Sequence, residues 1–329
     1  VNRYRRLLLV ALASAALACS PDFEPQYRVT DLRILGVRSE VAGTQRQADA
    51  DLGDRVRLSV LVGNPLGRAP LRVRWATCLP DGSDALSACL DPDALRDLDA
   101  FLARPGVLVL GEGTTIEVTV PQVAAAFDAI AARALAEPAF ACRLYVELPV
   151  VVVAEAGDRR EVAVKRVRLV PYRTFAEHPT LAGVYPPNDN PGISGVQAAE
   201  SDSQCGTSAA VPIAAPCGSA CPVAACAPDN FCAAVPPDGL VVLCGLARPA
   251  SSERFDQCAP DGSRIPFHEP LDWQWYATAG TFPESGDGVG NAVGADVEFE
   301  RPPGAFTLWV IVRDGRGGEG WLVRSFPPL

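Results

Sequence analysis

The 329-residue chain predicts a mainly β protein built as two antiparallel sandwiches in tandem. Three observations carry that expectation. Strand-length segments that alternate apolar and polar residues recur along both halves. Each half carries tryptophan on one such segment, and a second segment that closes on proline follows it. The length leaves room for two cores at about 100–200 residues each. A hydrophobic share of 48% against 21% charged residues is that of a globular chain and argues against global disorder.

Taken in chain order, residues 1–18 have the form of an export signal. Arg3, Arg5 and Arg6 precede an apolar run, and Ala16-Leu17-Ala18-Cys19 closes it. The segment resembles the bacterial lipobox, departing from its usual leucine at Ala16. The resemblance implies that Cys19 becomes the lipid-bearing first residue of the mature protein, and a valine at position 1 suits an alternative start codon. Ser20, where aspartate would favour inner-membrane retention, matches the outer-membrane default. Residues 19–26 then form a tether, with Ser20 to Gln26 reaching at most about 25 Å.

The first domain is expected over 27–173. Its strands are Arg28 to Arg38, Asp54 to Gly63, Leu71 to Cys78, Thr114 to Val120, Cys142 to Glu155 and Glu161 to Pro171. Two stretches instead repeat their apolar residues at helical spacing, Pro92 to Ala103 and Gln122 to Leu135, and are expected as short helices inserted between strands. The proline- and asparagine-rich segment 174–191 suits an extended linker. The second domain is expected over 192–329, with a cysteine-rich insertion at 203–258 and strands at Gly239 to Leu246, Leu271 to Ala279, Ala295 to Arg301, Ala305 to Arg313 and Gly320 to Phe326.

The halves correspond locally and in order. Arg74-Trp75-Ala76-Thr77 matches Gln274-Trp275-Tyr276-Ala277-Thr278 with one insertion, and Ile116 to Pro121 matches Val297 to Pro302. Through Leu271-Asp272-Trp273-Gln274-Trp275 and Val310 to Gly318 the chain resembles bacterial immunoglobulin-like and polycystic-kidney-disease-type (PKD) sandwiches. The resemblance implies an architecture rather than an activity. The Ala/Arg-rich, Lys-poor composition further resembles that of secreted lipoproteins from high-GC deltaproteobacteria.

Eleven cysteines stand at 19, 78, 89, 142, 205, 217, 221, 226, 232, 244 and 258. With Cys19 lipidated the other ten can pair, as an oxidising compartment allows. Three of them (Cys78, Cys89, Cys142) precede the linker and seven (Cys205, Cys217, Cys221, Cys226, Cys232, Cys244, Cys258) follow it. Both numbers are odd, so either one bridge crosses between the halves or each half keeps a free thiol, and the crossing bridge is expected. Cys78 could meet Cys142 across neighbouring strands or Cys89 across a loop. The spacings are wider than Cys-x2-Cys and no histidine lies among them, which disfavours zinc.

The net charge is −10 and becomes −13 without the leader, whose eighteen residues hold three arginines and no acid. Lys165 is the chain's sole lysine. That balance disfavours nucleic acid, whose binding needs a basic surface. Beyond residue 18 no run approaches the ~20 apolar residues of a spanning helix, so membrane contact is expected only through the lipid.

Catalytic constellations are equally sparse. His178 and His268, the two histidines, sit in loop-like contexts without a nucleophile elbow. Asp91, Asp93, Asp97 and Asp99 crowd together as the paired carboxylates of a glycosidase would, but Asp91 and Asp93 lie where carboxylates cap a helix start, which favours capping and solvation. No catalytic residue or cofactor is expected, apart from a structural calcium at Asp314 in its glycine-rich turn, with Glu319 or Asp287 as a further ligand, against the alternative of a plain hairpin. The expected role is non-catalytic, in interaction or structure at the cell envelope, with a protein or glycan partner that the residues do not name. The alternative is a carbohydrate-binding or adhesive module using Trp273, Tyr276 and Trp321; an envelope enzyme is a third class.

Overall fold

The computed structural model describes residues 25–44, 46–78, 97–120, 124–137, 141, 144–179, 181, 185–199, 201–207, 210–212, 240–259, 261, 263–283, 287–290 and 294–326. Cys19, Cys89, Cys142, Cys217, Cys221, Cys226 and Cys232 lie outside them.

The first half folds as β1 (Arg33–Val41), β2 (Arg55–Gly63), β3 (Leu71–Cys78), β4 (Val107–Glu112), β5 (Thr115–Thr119), β6 (Val146–Ala156) and β7 (Arg159–Leu169). Its two antiparallel sheets have the orders β1-β2-β5 and β4-β3-β6-β7. Their inner faces share one core of Val37, Val56, Leu58, Val73, Trp75, Val150, Val152 and Leu169. Trp75 is 1% exposed, and its indole Nε1–H donates to Gly113 O at 2.7 Å, so the ring fills the space between the sheets with its polar atom satisfied.

The second half repeats the plan. Its strands are β8 (Ile193–Ala199), β9 (Val211–Pro212), β10 (Leu240–Ala247), β11 (Arg254–Cys258), β12 (Arg264–His268), β13 (Leu271–Ala277), β14 (Asp287–Gly290), β15 (Gly294–Glu300), β16 (Phe306–Asp314) and β17 (Glu319–Phe326). The sheets β15-β10-β8-β9 and β14-β13-β16-β17 enclose Trp273, Trp275, Leu243, Phe299, Leu308 and Val310. Setting aside β9 and the separate β11-β12 hairpin, the strand order equals that of the first half. In each half the tryptophan-bearing strand pairs antiparallel with the penultimate one, Trp75 opposite Val152 and Trp275 opposite Val310. Two immunoglobulin-like sandwiches of this kind confirm the expected class.

Helices are few. The first, α1 (Leu98–Leu102), starts at Asp97, whose carboxylate accepts from Ala100 N at 3.1 Å; Phe101 packs under it on the outer face of β3 and β6. The second, α2 (Ala124–Ala136), falls within one residue of its expected end. A third, α3 (Tyr172–Glu177), was not expected. No helix among the described residues is long and apolar enough to cross a membrane.

Several expectations need correction. Strand β10 meets the expected strand Gly239 to Leu246, but it is a central sheet strand between β8 and β15, so the segment 203–258 is not an insertion throughout. Its Cys244 is bonded to Cys205, 39 residues away, which staples β10 to the turn after β8. Cys78 is also disulfide-bonded. Cys89 and Cys142, the two partners expected for Cys78, both lie outside the described residues.

The linker differs most from expectation. Phe175, Leu181, Tyr185, Asn188 and Asn190 are all under 9% exposed, so this segment is packed rather than extended through solvent. It lies between two sandwiches that touch directly: Val29, Leu35 and Leu61 of the first pack against Trp309 and Ile311 of the second. The chain preceding β1 also crosses over. Val29 N donates to Ala277 O and Ala277 N to Tyr27 O, both at 3.0 Å, while Tyr27 sets its ring edge-on to Phe282.

Candidate functional site at the junction of the sandwiches

Among the described residues, several of the most deeply buried polar side chains, Asp49, Asn188, Asn190, Glu269 and Glu319, converge where the two halves meet. Strand β1 is a sheet edge, so its outward N–H groups need partners. Val37 N finds one in Glu319 Oε2 of β17 at 3.2 Å. The other carboxylate oxygen of Glu319 lies 2.9 Å from Arg313, whose guanidinium also donates to Leu35 O at 3.0 Å. Lys165 of β7 shares a strand face with the core residues Val167 and Leu169 but donates across the junction to Gly317 O.

Asn190 bridges the two halves. Its Nδ2 donates to Ser39 O at 2.6 Å and Arg46 O at 2.9 Å, and its Oδ1 accepts from Glu319 N at 2.8 Å. Asn188 donates to Asp314 Oδ2 at 3.2 Å, while its carbonyl accepts from Ala48 N at 2.6 Å. The backbone after Asn190 comes so near β17 that a Cβ on Gly320 would stand 2.0 Å from Pro191 O, a distance no side chain tolerates. A glycine there lets the segment lie directly on the strand.

Arg316 extends the network from the hairpin turn. It donates to Glu269 Oε1 at 3.2 Å, to Pro186 O at 3.2 Å and to Glu253, and its guanidinium lies 4.3 Å from the centre of the Phe255 ring. Burial pushes the Glu269 carboxyl up to about 7; repulsion from Asp314 adds to this and Arg316 opposes it. On the first sandwich Tyr172 donates to Asp49 Oδ2 at 2.7 Å. Asp49 is raised to about 7, chiefly by burial, with the Tyr172 hydrogen bond and Arg316 pulling it back.

The residues singled out from the sequence fall variously on this frame. Asp314 braces the turn: Oδ1 accepts from Arg316 N at 2.9 Å and Gly318 N at 2.7 Å, and Oδ2 accepts from Asn188. Among the described residues no group of three His, Cys, Asp or Glu side chains could hold a metal. Trp273 is fully buried in the second core and presents no surface for stacking. Tyr276 and Trp321 are half-buried on the apolar side of the junction, with Arg33 lying over the first ring at 5.3 Å and Arg38 over the second at 4.6 Å. The fold therefore does not assemble these three aromatics into one exposed platform.

His268 ends β12, and its Nε2 is 2.8 Å from Ser252 Oγ. That hydroxyl donates to Glu269 O at 2.6 Å. With its proton committed to a carbonyl, Ser252 is left to accept from the imidazole, the reverse of an activated nucleophile. His178 caps the end of α3 through its backbone N–H to Phe175 O.

Sequence patterns missed the junction residues Asn188, Asn190, Lys165 and Arg316, and pointed to Glu319 only as a calcium partner of Asp314. Lys165 alone carried a signal, a charge at an inward-facing position of an alternating strand.

The architecture and its junction define a class of protein, a tandem immunoglobulin-like β-sandwich protein with the modules joined face to face. No protein-family model and no curated protein matches the chain. Among solved structures it is similar to the fibronectin(III)-like modules of CbhA from Clostridium thermocellum, at 8% identity over 88% of this chain and 94% of that one, with a TM-score of 0.22. It is also similar to dimeric latent PorU from Porphyromonas gingivalis, at 12% identity over 91% of this chain and 24% of that one, with a TM-score of 0.19. At those scores neither says anything of activity, and the class rests on the strand order.

Proposed function

We propose that this chain is a lipid-anchored, non-catalytic protein of the cell envelope, sorted to the outer membrane, that serves in interaction or structure as a rigid two-module unit. The observation that carries this reading is the junction, where buried hydrogen bonds from Asn188, Asn190 and Lys165 run to both sandwiches. Modules joined by a flexible linker reorient freely. Modules locked through buried polar groups keep one geometry, because opening the joint would strand those groups unpaired.

Three features support the envelope setting. The residue pattern before Cys19 has the form of a lipoprotein leader, as in lipoproteins of the deltaproteobacterial type. The Cys205–Cys244 bridge suits an oxidising compartment. The short tether ends at Tyr27, which is pinned to the second sandwich while the chain enters the first, so an anchor at Cys19 would hold both modules near the membrane. Of the three aromatics that the carbohydrate-binding alternative would use, Trp273 is buried.

Metabolic labelling with an alkyne palmitate analogue tests the anchor. The full chain should label and sediment with membranes, and Cys19→Ser should do neither. Equal labelling of the two, or an unlabelled wild type, would overturn it.

A further inference from the structure

A cleft of about 450 Å³ opens between the sandwiches, walled by β1, β7 and the turn from β16 to β17. Small-molecule pockets have volumes of roughly 300–1,000 Å³ and favour interfaces between domains. We propose that this cleft binds a small oxyanion, a carboxylate or phosphate group, with the ammonium of Lys165 as its principal contact.

The first support is charge. Lys165, Arg166, Arg168 and Arg313 line the cleft against Glu147, Asp314 and Glu319, so it is net positive within a chain of net charge −10. A positive cleft with low-dielectric walls concentrates anions.

The second is how those charges are used. Glu319 is matched by Arg313 at 2.9 Å and Glu147 by Arg166 at 3.3 Å. The Asp314 oxygens are occupied by Asn188 and by backbone N–H groups of the turn. Lys165 donates to Gly317 O, but its distance to Glu319 Oε2 is 3.9 Å, beyond a hydrogen bond. An ammonium has three donors, so this one has capacity to spare.

The third is placement. The Lys165 side chain is 12% exposed, and it lines the cleft. Burial pushes its ammonium below the ordinary lysine range, and Glu319 and Asp314 pull it partly back. An oxyanion would supply the stabilisation that lost water no longer provides.

Because Lys165 is the only lysine, amine-directed acetylation of the full chain followed by peptide mass spectrometry reads this one ammonium. Sodium glucuronate and inorganic phosphate, tested separately at about 10 mM, distinguish a carboxylate from a phosphate source. At least one should slow acetylation of Lys165 by about threefold or more, the protection expected at twice a dissociation constant, and should do so saturably. Glucose, and sodium chloride at matched ionic strength, should not. The protecting anion should also raise the melting temperature of the wild type but not of Lys165→Gln; should that variant fail to fold, the acetylation result decides alone. Protection by neither anion beyond that of chloride, or equal protection by glucose, would overturn the proposal.

Discussion

Asp49 is an acid held where water does not reach. It is 1% exposed, it takes one hydrogen bond from Tyr172, and among the described residues no donor meets its Oδ1. Arg316, Asp314 and Arg168 are the charges that act on it. Its folded carboxyl titrates near 7 against an ordinary 3.8, so between those values the folded chain keeps a proton that the unfolded chain has released. The stability it contributes is therefore fully present below about pH 4, is lost as pH rises toward about 7, and is flat above. Glu269, also raised to about 7, acts in the same direction. The wild type should accordingly melt higher at pH 6 than at pH 8. Asp49→Asn cannot ionise yet keeps an acceptor for Tyr172; it should narrow that gap and stabilise the protein at pH 8 by on the order of 1–3 kcal/mol, after the cost of an unpaired amide N–H. Melting curves across pH 6–8 check this, and parallel curves for the two proteins would show that Asp49 is not the titrating group.

Among elements, the stretch Pro186 to Pro191 contributes to the junction out of proportion to its length. Asn190→Ala would leave Ser39 O and Glu319 N without their side-chain partner and remove one of two bonds to Arg46 O. At 1–3 kcal/mol per buried unsatisfied group, a loss of about 2–4 kcal/mol is expected, read by denaturant unfolding. The sequence could not show this. Proline and asparagine have the local chemistry of turns, and what makes Asn190 structural is a carbonyl 151 residues away. Other misses also have local causes. Strand β8 is Ile-Ser-Gly-Val-Gln-Ala-Ala, short of the β-branched and aromatic residues that mark strands, and it gains its place by pairing with β10. Strand β4 sits just before Gly113 and β5, and its exposed Leu108 and Val109 break the alternation that reveals a half-buried strand. By contrast, β3 and β13 were legible because a tryptophan on an alternating strand already states which face is buried.

At the scale of the whole molecule, the repeated strand order was legible because each half carries the same succession of tryptophan strand, proline-terminated strand and final hairpin. The mutual arrangement of the halves was not, since it depends on faces that look like ordinary sheet exteriors until they meet. The outer face bearing Leu35 and Leu61 closes on the outer face bearing Trp309 and Ile311, and the ionic network rings that contact. The central claim is that this contact makes one body of two modules. Backbone residual dipolar couplings in a weakly aligning medium test it most directly. Couplings from residues 33–169 and from residues 193–326 should fit a single alignment tensor with the same magnitude and orientation; two tensors of different magnitude would mean that the modules reorient independently and would contradict the account.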